Sequence, residues 1–169
     1  MKKIITMLLA VALMLCFAAC DTPDTPENPD AGKEPVQDSF TFTYKGTKIA
    51  LHAPAAPIIE ALGGNPEYSE SASCAFDGLD KSYGYGSFYL ETYPIGDKDY
   101  VYGWWFVDDL VETDEGICIG STKAEVDAAY GADNFNGSNA YTVKKGSGVL
   151  TIILEKDVVS SVQYAIITD

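Results

Sequence analysis

The feature that most constrains this chain is a stretch of fifteen residues in its first half that recurs, loosely, in its second. Ile49-Ala-Leu-His-Ala-Pro-Ala-Ala-Pro-Ile-Ile-Glu-Ala-Leu-Gly63 lies over Ile117-Cys-Ile-Gly-Ser-Thr-Lys-Ala-Glu-Val-Asp-Ala-Ala-Tyr-Gly131 at an offset of 68. Four positions are identical, and Leu51/Ile119, Ile58/Val126 and Leu62/Tyr130 keep apolar character. Farther on, Asp97-Lys98-Asp99-Tyr100-Val101 lies over Glu155-Lys156-Asp157-Val158-Val159. A short apolar segment, a turn, a short helix ending at glycine and a run of strands is the unit expected twice.

In the second copy, Thr122 followed three residues later by Glu125 forms a capping box, and Gly131 ends the helix. In the first copy Pro54 stands at the helix start, where a missing N–H costs little, and Gly63-Gly64 ends it. Strand-like runs are expected near 73–77, 86–93 and 99–108, and again near 140–144, 148–155 and 158–167. Turns at Asp77-Gly78, Ile95-Gly96-Asp97, Gly146-Ser147-Gly148 and Lys156-Asp157 separate them. The expected class is α+β: two tandem helix-plus-antiparallel-meander units, 39–112 and 113–169, with the helices on one face of the sheet.

Period-two alternation then assigns faces. Val158, Val162, Tyr164 and Ile166 share one side of the last strand, which makes that side the core. Carried to the first copy, Tyr100, Tyr102, Trp104 and Phe106 point inward with Phe88, Leu90 and Thr92. Tyr89, Glu91, Tyr93, Val101, Trp105 and Val107 then occupy the open face and are the candidate binding residues. Tyr and Trp are the side chains most enriched at interaction hot spots, and Glu91 and Asp99 would supply a polar border.

The segment Gly120-Ser121-Thr122-Lys123-Ala124-Glu125-Val126, closing at Tyr130-Gly131, resembles the helix entry of the beta-lactamase inhibitory protein fold. It is also similar to that of the small lipoproteins of the outer-membrane assembly machinery. The resemblance implies a concave, aromatic-rich sheet face that grips a protein partner. No stretch of this chain matches an inhibitory loop, so beta-lactamase as a target is not implied.

The N-terminal segment 1–20 reads as an exported leader. Lys2 and Lys3 precede an apolar run too short to span a bilayer. Phe17-Ala18-Ala19-Cys20 resembles a bacterial lipobox, with small residues before a cysteine that would carry the lipid. Residues 21–38 hold four prolines and six acids and almost nothing to bury, the composition of a disordered tether. The expected address is the extracytoplasmic side of a cell membrane, held there by a lipid anchor at Cys20.

Charge limits the partners. The chain carries 11 lysines, no arginine and 25 acids, for a formal charge of −14. Such a chain repels a nucleic-acid backbone, so nucleic acid is excluded; a non-catalytic module that binds a protein or cell-envelope ligand is expected, and the alternative is a structural or assembly lipoprotein of an envelope complex. A hydrolase would have to rest on His52, the sole imidazole, and no nucleophile-elbow pattern accompanies it. The acids Asp108, Asp109, Glu112, Asp114 and Glu115 lack the spacing of a calcium loop and read as a solvated connector. No cofactor or metal is expected. Cys74 and Cys118 are the pair that remains once Cys16 and Cys20 are set aside, and outside the cytoplasm such a pair can bridge.

Overall fold

The computed structural model describes residues 39–168; the expected leader 1–20, the expected lipidation at Cys20 and the expected tether 21–38 lie outside the described residues. Nine strands and two short α-helices follow in the order β1 (Thr41–Tyr44), β2 (Thr47–Ala50), α1 (Ala55–Leu62), β3 (Glu67–Ala72), β4 (Leu79–Gly84), β5 (Phe88–Ile95) and β6 (Lys98–Phe106), then α2 (Lys123–Tyr130), β7 (Ala140–Lys145), β8 (Gly148–Glu155) and β9 (Val158–Ile166). A short 3-10 turn, Ala132–Asn134, follows α2. Strands β1 and β2 pair with each other, and the other seven form one antiparallel sheet in the order β3-β4-β5-β6-β9-β8-β7.

This corrects the expected α+β class. The fold is mainly β, and it is not a pair of helix-plus-meander units: each helix is only eight residues long, and one seven-stranded sheet runs through both halves. The helices also do little of the covering. α1 buries only Ala55 and Ile58, and α2 only Val126. Most of the aromatic cover on the inner face comes from residues at and before the β1–β2 hairpin. Phe42 packs on Phe88, Trp104 and Phe106 at ring separations of 5.1, 6.0 and 5.2 Å, and Phe40 meets Tyr164 at 5.2 Å. Leu90, Leu150, Ile152 and Val162 complete that core with no solvent exposure.

The sheet's centre is a short seam. β6 and β9 pair through only Gly103↔Ala165, Trp104↔Tyr164 and Trp105↔Gln163. Gly103 is required there, because a Cβ at this position would stand 2.0 Å from the Tyr164 carbonyl oxygen. Trp104 stacks on Tyr164 across the same seam at 4.9 Å.

The two helix entries are tied to the sheet by the same backbone bonds. His52 N–H donates to the Val101 carbonyl and Val101 N–H to Ala53, each at 2.9 Å. Gly120 N–H donates to Val159 at 2.9 Å, and Val159 N–H to Ser121 at 2.8 Å. Single bridges follow at Pro54↔Tyr100 and Thr122↔Val158. At α2 the Thr122 hydroxyl accepts from Glu125 N–H while the Glu125 carboxylate accepts from Thr122 N–H, so the capping box predicted by their spacing is formed.

A bulge beside each entry upsets the alternation read from the sequence. Thr92 opposes Val101 and Glu91 opposes Gly103, leaving Tyr102 as the extra residue. Leu154 opposes Val159 and Ile153 opposes Ser161, leaving Ser160 extra. One inserted residue reverses the parity of everything before it. Val101 therefore points inward and is wholly buried, where an open-face position was expected, and Tyr100 faces the other way. Val158, expected in the core, is exposed, and Val159 takes its place.

Replacing Gly103 with alanine must push β6 and β9 apart or distort both. Chemical denaturation is expected to show a loss of about 1–3 kcal/mol, the usual cost of overpacking a closely fitted site. An unchanged midpoint would show that the seam has slack.

Candidate functional site

The outer face of the sheet presents two rows of side chains that cross all seven strands. One runs Glu67, Gly84, Tyr89, Trp105, Gln163, Thr151 and Thr142. The next runs Ser69, Ser82, Glu91, Gly103, Ala165, Val149 and Lys144. Across β9, β8 and β7 these rows are small or polar. Large aromatic groups appear only where they cross β5 and β6.

There Tyr89 and Trp105 stack almost parallel, with centroids 4.5 Å apart and planes at 6°. The Tyr89 ring leans over Gly84, where a Cβ would come within 2.8 Å of the ring. Its hydroxyl reaches across β4 to donate to Glu67 Oε2 at 2.8 Å, a bond that raises the Tyr89 pKa by holding the proton on the phenol. The two rings thus form a shelf lying along the sheet, half-buried, with Glu67 at one end. Glu91 stands one row away. Burial pushes its carboxyl pKa up, the Trp105 indole N–H partly offsets this by donating to the carboxylate, and the charge of Asp80 raises it further.

Of the six residues expected on this face, Tyr89, Glu91 and Trp105 are brought together. Val107 is exposed just past the end of β6, where its N–H bonds to the Ser87 carbonyl. Val101 is turned into the core by the bulge. Tyr93 is sealed: its ring packs against Phe76 at 4.5 Å, Tyr100 at 6.1 Å and Tyr102 at 6.4 Å. The Tyr93 hydroxyl and His52 Nδ1 are hydrogen-bonded at 2.9 Å, which gives His52 a place in that packed cluster. Cys74 and Cys118 are both free thiols, so the bridge considered between them is not formed. Cys118 Sγ lies 3.6 Å from the Ser121 hydroxyl. Val111 and Ile117 are buried and pin the acidic connector, while Asp109, Glu112, Asp114 and Glu115 face water. Among the described residues, no group of three or more His, Cys, Asp or Glu side chains could hold a metal ion, and no helix is long and apolar enough to cross a membrane.

Sequence reasoning missed the flank of the site. Strands β3 and β4 bring Ser69, Ser71, Asp80 and Ser82 beside Glu91, and these line a hollow of about 570 Å³ together with Tyr102. The run 73–77, expected as a strand, is the loop between β3 and β4. The signal present was the Asp77-Gly78 turn, with Tyr68 before it and Tyr83 after it; the two tyrosines pair directly across the hairpin.

Comparison with known proteins finds no match to a family, to a curated protein or to a solved structure. The chemistry must therefore be read from the face itself. A planar aromatic shelf edged by carboxylates can hold an apolar or cationic group and accept hydrogen bonds from it.

Glu91 gives a pH test of the site. A carboxyl whose pKa is raised on folding contributes stability that is complete below its unfolded value, 4.5, and is lost as pH rises through the folded value. Glu91→Gln removes the buried charge. The variant is expected to gain stability on wild type at pH 7 and to lose that advantage at pH 4, measured by urea denaturation at both. An equal difference at the two pH values would contradict the burial of this carboxylate.

Proposed function

We propose that this protein is a non-catalytic, lipid-anchored extracytoplasmic binding module that holds a protein ligand on the open face around Tyr89, Glu91 and Trp105. The observation that carries this is the contrast along one row of the sheet. Gln163, Thr151 and Thr142 meet solvent in the same layer as Tyr89 and Trp105. The same two rows carry no aromatic side chain across β9, β8 and β7, yet two are stacked, half-buried, where the rows cross β5 and β6. Aromatic groups of that kind, centred on a face and edged by polar residues, are where binding energy concentrates.

The anchoring part of the reading rests on the lipobox-like Phe17-Ala18-Ala19-Cys20 and the proline-rich acidic stretch after it. A tether of this composition would hold the domain some distance from the membrane.

The test uses the full chain, tagged at its C-terminus and recovered with its partner from the producing cell's envelope. Trp105→Ala is expected to reduce recovery of one identified partner by at least about tenfold, the loss of a hot-spot side chain. Gln163→Ala, on the same row, should leave recovery unchanged. Equal recovery with Trp105→Ala and wild type, both well folded, would refute the binding face.

A further inference from the structure

The hollow beside the aromatic shelf has a chemistry of its own. It is bounded by Ser69 and Ser71 on β3, Asp80 and Ser82 on β4, Glu91 on β5 and Tyr102 on β6. Ser69, Ser82 and Glu91 are direct cross-strand neighbours in one row, so their side chains rise from the same face. Asp80 belongs to that face as well, two residues before Ser82 on β4.

Three observations define what would fill it. Asp80 Oδ1 is shut off from water and receives no hydrogen bond from the protein. Glu91 is largely desolvated and feels the charge of Asp80. Lys81, the lysine among the residues that line the hollow, is committed to Asp99 at 2.7 Å. A largely desolvated carboxylate, held only by the Trp105 indole N–H, beside a carboxylate oxygen that receives no hydrogen bond is costly unless a cation or a donor-rich group compensates the charge.

We propose that the hollow receives the cationic side chain of an arginine or lysine from a basic protein segment, its apolar stem lying along the Tyr89–Trp105 shelf. This rests on the proposed binding face and names the chemistry of its ligand. A guanidinium carries five donors and a full charge, enough to engage Asp80, Glu91 and the serine hydroxyls together. Its flat, weakly hydrated surface also suits stacking against an indole. An anionic ligand would be repelled by Glu67, Glu70, Asp80 and Glu91. A neutral sugar would supply donors but leave both charges uncompensated.

The experiment titrates acetyl-Gly-Arg-Gly-amide into the ¹⁵N-labelled full chain in detergent micelles, following the Glu91 amide and the Trp105 indole N–H. Saturable shifts at both are expected. Asp80→Asn with Glu91→Gln should weaken binding at least about tenfold, as removing the charges opposite a cation does. Asp109→Asn with Glu112→Gln changes the net charge equally in the exposed connector and should leave the affinity as it is. Both pairs of substitutions keep side-chain size, and a dispersed spectrum verifies folding. Equal weakening by the two double variants would reduce the effect to diffuse charge and overturn the proposal. So would shifts produced by chitotetraose and not by the arginine peptide, or no saturable shift at all. If Asp80→Asn with Glu91→Gln has no effect while Trp105→Ala still releases the envelope partner, the hollow fails and the binding face stands. If Trp105→Ala releases nothing, the face itself fails.

Discussion

Three residue pairs between β6 and β9 hold the two halves of the sheet together, and Gly103 is what allows them to meet. Everything on the open face follows from that closeness. Strands β3 to β6 and β9 to β7 would otherwise be two smaller sheets, each with an additional unpaired edge. Joined, they form rows that cross seven strands, and Trp105 sits on the seam itself, opposite Gln163. Its neighbour Trp104 points the other way and is sealed in the core against Tyr164 and Phe42. Adjacent tryptophans thus do opposite jobs because a strand presents successive side chains to opposite faces.

The bulges explain why the site is smaller than the alternation implied. At Tyr102 and at Ser160 one residue is left over, and each bulge brings a valine inward just where the backbone must bond to a helix entry. Val101 bonds His52 and Ala53; Val159 bonds Gly120 and Ser121. A valine facing solvent at that point would lose its burial, and the entry loop would lose its contact with the core. The parity change therefore serves the junction. Its cost on the other face is that Tyr100, Tyr102 and Tyr93 gather beneath Phe76 into a packed cluster rather than an accessible one.

Legibility in the sequence tracked how strongly each segment depends on its own residues. The run expected at 148–155 is β8, and 140–144 and 158–167 agree with β7 and β9 to within a residue, because their buried alternation and glycine turns are local signals. Thr122 and Glu125 marked the start of α2 for the same reason. β3 gave no such signal: all six of its residues are exposed, and it is a strand because β4 pairs with it. The β1–β2 hairpin, four residues a side, turns at Lys45-Gly46, and its value to the fold lies in where Phe42 lands, which no short window contains. Overweighting two eight-residue helices and missing four strands gave an α+β class where the fold is mainly β. Tyr89, Glu91 and Trp105 were legible as a face because parity is preserved there; Val101 was not, because it precedes the bulge on β6, and Tyr93, which keeps its expected face on β5, is covered by Phe76 and Tyr100. The hollow was invisible because two of its walls belong to strands that were not anticipated.

For the proposed binding, the charge of the chain would supply the open face's selectivity. A sheet face with half-buried aromatic rings open to solvent invites self-association, and two copies would meet most readily through the Tyr89–Trp105 shelf. That encounter would also press Glu67 and Glu91 of one copy against the same carboxylates of the other, and a formal charge of −14 adds repulsion at longer range. The same carboxylates that oppose a second copy attract a segment of opposite charge. Discrimination between the two therefore needs no separate device: the edge that keeps the shelf from pairing with itself is the edge that a basic partner would use.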